Sequence, residues 1–146
     1  MAFLGSLDIS GSGLTASRLR MDILSQNIAN AATTRTEDGG PYRRKMVVYE
    51  PAEQSSFKHM LQNKINETST PKGVKVTKIV DDTSDFTPVY DPTHPDANED
   101  GYVMMPNVNP IKETIDMMSA TRAYDANITV FNAVKGMAVK ALDMGR

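Results

Sequence analysis

The feature that most constrains this chain is an apolar repeat that runs almost to its C-terminus. Met117, Ala120, Tyr124, Asn127, Phe131, Val134, Ala138 and Ala141 recur at alternating spacings of three and four, the spacing of one edge of an α-helix. Asn109 is a good N-cap and Pro110 a good first helical residue, and Gly145 is a plausible stop. A helix over 110–143 would be about 50 Å long at its usual rise. A chain of 146 residues has material for one ordinary core and can hardly cover both sides of such a helix. Part of that helix is therefore predicted to pack against other chains.

The N-terminus carries a second seam. Leu7, Leu14, Met21 and Ile28 fall seven apart, with Ser10, Ser17, Leu24 and Ala31 three residues after each, which predicts a helix of about seven turns over 7–32. It should end near "NAATT", before the turn-forming "TEDGGP". Gly11 and Gly13 weaken its first turns by about 1 kcal/mol each relative to alanine, so the start should fray in isolation. The expected assembly interface is drawn from both seams. Leu7, Leu14, Met21, Leu24 and Ile28 supply one side; Met117, Tyr124, Ile128, Phe131 and Val134 supply the other.

Between the seams the period changes. "YRRKMVVYE" and "GVKVTKIV" have strand composition, and "FTPVY" reads as a short edge strand because Pro88 cannot donate to a ladder. "PAEQSSFKHMLQNKINETST" has weak helical spacing at Phe57, Met60, Leu61 and Ile65 and could equally be a loop. The predicted fold class is α+β, with long N- and C-terminal helices forming a coiled-coil-like pair around a small β-rich middle. Its expected divisions are an N-terminal helix in 1–34, a β-rich region with an acidic, proline-rich connector in 35–109, and a C-terminal helix in 110–146.

Composition narrows the chemistry. The chain has no cysteine, which excludes disulfides, thiolate catalysis and cysteine-based zinc sites. A formal charge of −2 gives no reason to expect a nucleic-acid partner. No apolar run approaches the roughly 18 residues of a membrane span, so direct membrane insertion is not expected. "MAFLGSLDISGSGL" lacks the basic and apolar regions of a cleavable secretory signal. Ten methionines against 6% aromatics suit helix–helix contacts better than a shaped pocket.

The stretch "DPTHPDANEDGYVMMPNVNP" is the best place to look for a site. Counting from Asp96, the residues Asn98, Asp100 and Gly101 match the third, fifth and sixth positions of a calcium loop. The twelfth position needs a glutamate and is Asn107, after Pro106, while Pro92 and Pro95 break any incoming helix. The stretch therefore reads as a turn-rich connector with no metal. His94 among aspartates, or the pairs Asp81–Asp82 and Asp96–Asp100, could support hydrolysis, but no partner stands at a telling spacing. No cofactor is expected. "YRRK" is too small a basic patch for a nucleic-acid site; strand solubility or an acidic partner surface is its expected role. A self-contained helical-hairpin binding module stays open as an alternative, with the seams satisfying one another inside a monomer.

Three pieces resemble the bacterial flagellar axial (rod and hook) proteins. "SGLTASRLRMDILSQNIANAATT", with Asn27 and Asn30, is similar to their N-terminal signature. "YDPTHPDANEDGYVMMPNVNP", with Asp96, Asn98, Gly101, Asn107 and Asn109, is the most specific piece. "MMSATRAYDANITVFNAVKGMAVKALDMG", with Arg122 and Asn127, resembles the shared C-terminal helix. The resemblance implies a structural, non-enzymatic subunit of the proximal rod, the drive shaft crossing the periplasm. Its partners would be copies of itself, other rod proteins and, in transit, the flagellar type III export apparatus, which uses no cleavable signal.

Overall fold

The C-terminal helix starts where it does for a chemical reason. The Asn109 side-chain oxygen accepts hydrogen bonds from the backbone N–H groups of Ile111 (3.0 Å) and Lys112 (3.2 Å), satisfying donors that have no partner within the helix. Pro110, which has no N–H to satisfy, takes the first helical position. In a computed structural model, which describes residues 2–37, 39–52 and 73–145, the elements in order are α1 (Ala2–Ala29), β1 (Lys45–Pro51), β2 (Val74–Asp81), β3 (Thr87–Tyr90), β4 (Tyr102–Met105) and α2 (Pro110–Asp143). This is the α+β plan read from the sequence, two long helices flanking a small β region. The weak helical spacing at Phe57–Ile65, and His59 with it, lies outside the described residues.

The helix α1 begins five residues earlier than its heptad predicts and ends three earlier. At its C-terminal end the Asn30 backbone N–H (3.1 Å) and side-chain amide (2.9 Å) both donate to the Gln26 carbonyl, and the chain then turns. Strands β1 and β2 form one two-stranded sheet and β3 and β4 another. Bonds from Asp82 N–H to the Arg44 carbonyl (2.8 Å) and from Ala52 N–H to the Gly73 carbonyl (3.0 Å) make the first sheet antiparallel. The second is antiparallel too, with Pro88 opposite Met104 and Tyr90 opposite Tyr102. Strand β4 corrects the reading of 91–110 as connector alone: "YVMM" pairs with the predicted edge strand, and the connecting residues are those between Tyr90 and Tyr102 and those between Met105 and Pro110. Pro88 sits in a two-stranded sheet, where a missing donor is tolerated.

The chain divides into two compact units. The first draws its described residues from Met1–Arg18, Tyr49–Thr77 and Thr121–Arg146. Among its described residues the buried apolar side chains are Ala16 and Val134. Here Gly13 has a packing reason: a Cβ at that position would stand 3.1 Å from Asn127 Nδ2. Gly73, at φ +103, closes against Ser12, whose hydroxyl accepts the Val74 N–H at 3.1 Å. A Cβ at Gly73 would collide with that hydroxyl.

The second unit is built from Leu19–Val48 and Lys78–Ala120, around buried Ile23, Leu24, Tyr42, Val103 and Ala120. Two contacts give the direction of its helices. Asn27 meets Glu113 and Arg20 meets Asp116 (3.8 Å), so within this unit α1 and α2 run antiparallel.

Candidate functional site

The last turns of α1 deliver Asn27, and the first turn of α2 delivers Glu113. Both are fully buried, at 0% exposure, and they meet in the second unit. Asn27 uses its whole side-chain amide. Its Nδ2 donates to the Lys45 carbonyl (2.9 Å) and to Glu113 Oε2 (2.9 Å), while its Oδ1 accepts from the Lys45 N–H (3.0 Å) and the Tyr42 hydroxyl (2.9 Å). The amide thus pairs with both backbone groups of the first β1 residue, as a neighbouring strand would.

The other oxygen of Glu113 accepts from Arg44 Nε at 2.6 Å. The same guanidinium lies 3.5 Å from Asp82 Oδ2 and 3.9 Å from Asp116 Oδ2. Asn107 closes the assembly. Its Oδ1 accepts the Arg44 backbone N–H (2.8 Å), and its Nδ2 donates to the carbonyls of Asp82 and Ser84 (3.2 Å each) and the Ser84 hydroxyl (2.9 Å). Asn107 therefore ties β1 to the chain after β2, and Asn109 alone caps α2. Among the described residues no buried side-chain nitrogen or oxygen lacks a partner.

The electrostatics agree with a fixed structure. Burial, followed by the charges of Asp81 and Glu113, pushes the Tyr42 phenol above its ordinary pKa, so it stays a donor. Burial works against the Arg44 charge, but the hydrogen bond and charge of Glu113, with Asp82 behind them, outweigh it and hold the guanidinium above its ordinary value. The Ser84 backbone and hydroxyl hydrogen bonds, with smaller help from Arg44, hold Asp82 below the usual carboxylate range.

"YRRK" is accordingly an outward basic patch only in part, since Arg43 is exposed and Arg44 is not. Arg44 is spent inside this network. Arg43 lies over the Phe86 ring at 4.4 Å and donates to the Asp82 and Ser84 carbonyls. Lys45 Nζ stands 5.9 Å from the centre of the Tyr42 ring.

The stretch from Asp91 to Gly101 is a self-satisfied loop. Asp91 N–H reaches the Gly101 carbonyl (3.0 Å), Asn98 N–H the Tyr102 carbonyl (2.9 Å), and Gly101 N–H the Asn98 carbonyl (2.8 Å). The Thr93 hydroxyl (2.7 Å) and N–H (3.1 Å) bond Asp91 and draw its pKa down. His94 Nδ1 accepts the Asp96 N–H at 3.1 Å. Asp96 pins the chain after α1, accepting from Thr34 (2.9 Å) and Arg35 (3.5 Å). Gly101, at φ +79, brings the backbone under Tyr90. Among the described residues no three acidic or histidine side chains converge to hold a metal, and no helix is long and apolar enough to cross a membrane. An open cleft of about 560 Å³ brings together one carboxylate (Asp85), two amides (Asn107 and Asn109) and two hydroxyls (Ser84 and Thr87), with no histidine or lysine in its lining, and the Ser84 hydroxyl already accepts from Asn107 Nδ2 at 2.9 Å. What the network can do is hold both terminal helices and the sheet in register.

Of the seam residues, Leu24 and Val134 are buried; Leu7, Leu14, Met21 and Ile28 are half-buried, as are Met117, Tyr124, Ile128 and Phe131. Arg122 is exposed, and Asn127 donates to the Ala123 carbonyl (3.0 Å) while facing Gly13. Sequence reasoning missed Glu113, Arg44 and Tyr42. A signal for Glu113 was available: the C-terminal seam extended back four residues from Met117 lands on it.

Comparison with known proteins adds an independent line. Residues 7–35 match a family described as "Flagella basal body rod protein", and residues 99–144 match "Flagellar basal body rod FlgEFG protein C-terminal". Over the whole of both chains, this sequence is 49% identical to the flagellar basal-body rod protein FlgC of Bacillus subtilis. It is 43% identical to that of Borreliella burgdorferi, covering 97% of each chain. Against that of Salmonella typhimurium the identity is 38% over the full length of both.

Proposed function

This chain belongs to the FlgC family of flagellar basal-body rod proteins, and on that premise we propose that its two terminal helices are the parts that build it into the rod. It is a structural subunit of the flagellar basal-body rod, not an enzyme, and it interacts with other rod components. In our reading the axial parts are 1–34 and 110–146, while 35–109 spaces them.

The half-buried seam residues serve twice. Leu7, Leu14, Met21 and Ile28, around Leu24, pack within the chain and leave surface for a neighbour. Met117, Tyr124, Ile128 and Phe131, around Val134, do the same. Successive subunits of the proximal rod would meet through unlike faces related by a screw operation, the contact that builds filaments. Torque would then be spread over many seams. Asn27, Asn30, Asn107 and Asn109 hold the subunit's own fold, as Asp96, Asn98 and Gly101 hold its loop.

The observation that supports this reading most is the outside of α2. Ile111, Ile115, Met118, Val130, Met137 and Leu142 are all exposed on a helix whose inner edge is already covered, and so much apolar surface marks an interface. The chain would reach the rod through the type III export apparatus without losing a signal peptide. Two measurements test the proposal. Phe131→Asp and Leu14→Asp chains should be exported yet absent from isolated basal bodies; normal rods would contradict it. The chain extracted from basal bodies should begin at Met1 or Ala2, and a shortened N-terminus would contradict the export reading.

A further inference from the structure

The β3–β4 hairpin has two unlike faces. Val89 and Val103 are opposite each other on one, Val103 buried at 2% and Val89 exposed at 45%. Pro88, Tyr90, Tyr102 and Met104 lie on the other, paired across the strands, and all four are exposed, Tyr90 at 66% and Tyr102 at 44%. The two tyrosine rings meet edge to face at 5.3 Å, a preorganised aromatic platform of the kind enriched at interface centres. From Tyr90 to Tyr102 the only exposed charges are Glu99 and Asp100, and neither makes an ion pair among the described residues. The loop joining the platform's two strands thus carries these two exposed carboxylates next to Tyr102 in the chain, while the exposed Arg35 that meets this loop is paired with Asp96.

A surface of matching character lies elsewhere in the same unit. Ile111, Ile115 and Met118, at 74%, 62% and 54% exposure, follow the spacing of one helix edge. The only exposed charge on α2 between Pro110 and Ser119 is Lys112, and it too is unpaired among the described residues. The stripe is about 10 Å long at the helical rise; the platform is about 7 Å from Pro88 to Tyr90 before side chains extend it. Both surfaces are exposed in one copy, so neither covers the other.

We propose that the outward stripe of α2 in one copy docks on the tyrosine platform of a second copy, with Lys112 set against Glu99 and Asp100. The Lys112 ammonium can also lie over a tyrosine face. The two surfaces differ, so each docking leaves one stripe and one platform open for further copies. The inference rests on the reading that subunits meet through unlike faces, and it names one such pair.

The test is photo-crosslinking in basal bodies isolated from cells whose only copy of the chain carries Tyr102→p-benzoylphenylalanine. A Tyr90→p-benzoylphenylalanine chain serves in parallel, in case the first is not incorporated. The expected product is a dimer of this chain, linked through residues 111–118 of the second copy. Lys112→Glu should reduce its yield, and adding Glu99→Lys should restore it. With the chain present, linkage to a different rod protein, to another segment, or from neither position would overturn the inference and leave the rod assignment standing. Absence of the unsubstituted chain from basal bodies would overturn the rod assignment, and this docking with it.

Discussion

Asn27 Nδ2 donates to Glu113 Oε2 at 2.9 Å, a hydrogen bond between two fully buried side chains 86 residues apart. One belongs to the last turns of the first helix and the other to the first turn of the last helix. With both backbone groups of Lys45 on the same amide, the contact sets the two helices and the first strand relative to one another within their unit.

Asn27→Ala strands the Lys45 N–H and carbonyl, the Tyr42 hydroxyl and one Glu113 oxygen at once. A buried group left without its partner costs about 1–3 kcal/mol. Loss of about 3 kcal/mol is expected in the free energy of unfolding by urea. A change below about 0.5 kcal/mol, the size of an ordinary surface substitution, would show that the network is not holding the unit.

Arg44 and Glu113 should behave as a coupled pair. Removing one member of a buried ion pair leaves the other charge uncompensated, at about 3–5 kcal/mol, whereas replacing both by apolar residues of similar size is far milder. Arg44→Met and Glu113→Leu are each expected to destabilise strongly, and the double variant by clearly less than their sum. Strict additivity in the double-mutant cycle would contradict the geometry.

The ends of the pH range should be lost through different residues. Asp82 has a depressed pKa, from the Ser84 hydrogen bonds first and Arg44 after them. Its stabilisation is fully present above the unfolded carboxylate value and disappears as pH falls through the folded one. Tyr42 has a raised pKa, from burial first. Its contribution is complete below the ordinary phenol value of 10.0 and is lost as pH rises from there through the folded value. Asp82→Asn should flatten the acid limb of the stability profile and Tyr42→Phe the alkaline limb, each leaving the other unchanged.

Two of the three glycines inside the first helix, Gly11 and Gly13, should respond differently to alanine. A Cβ at Gly11 meets nothing within 4 Å, whereas one at Gly13 stands 3.1 Å from Asn127 Nδ2. Gly11→Ala should gain about 1 kcal/mol from helix propensity. Gly13→Ala should gain less or lose stability, because Asn127 must shift. Thermal melts followed by circular dichroism separate the two, and equal gains would place Asn127 elsewhere.

Much of the architecture was legible because its signals are local. Asn109 and Pro110 announce the start of the last helix, and the spacing from Met117 to Ala138 marks the edge that is covered. Strand β4 hid because four residues between Gly101 and Pro106 carry too little pattern, and its partner lies across a loop. Glu113 hid for another reason: an acid in a first helical turn reads as a complement to the helix dipole. Its burial depends on Asn27 and Arg44, which spacing along the chain does not connect. "YRRK" misled similarly, since charge in a strand looks solvent-facing until Glu113 and Asp82 are seen around Arg44.

The most direct test of the central claim, that the uncovered face of the last helix builds the rod, is Ile115→Asp in cells lacking any other copy of the chain. Ile115 is exposed in the single subunit, so the purified variant should unfold at the denaturant midpoint of the parent. The expected result is an exported, folded chain, with basal bodies that lack a complete rod and cells that do not swim. Normal rods and normal swimming would contradict the account.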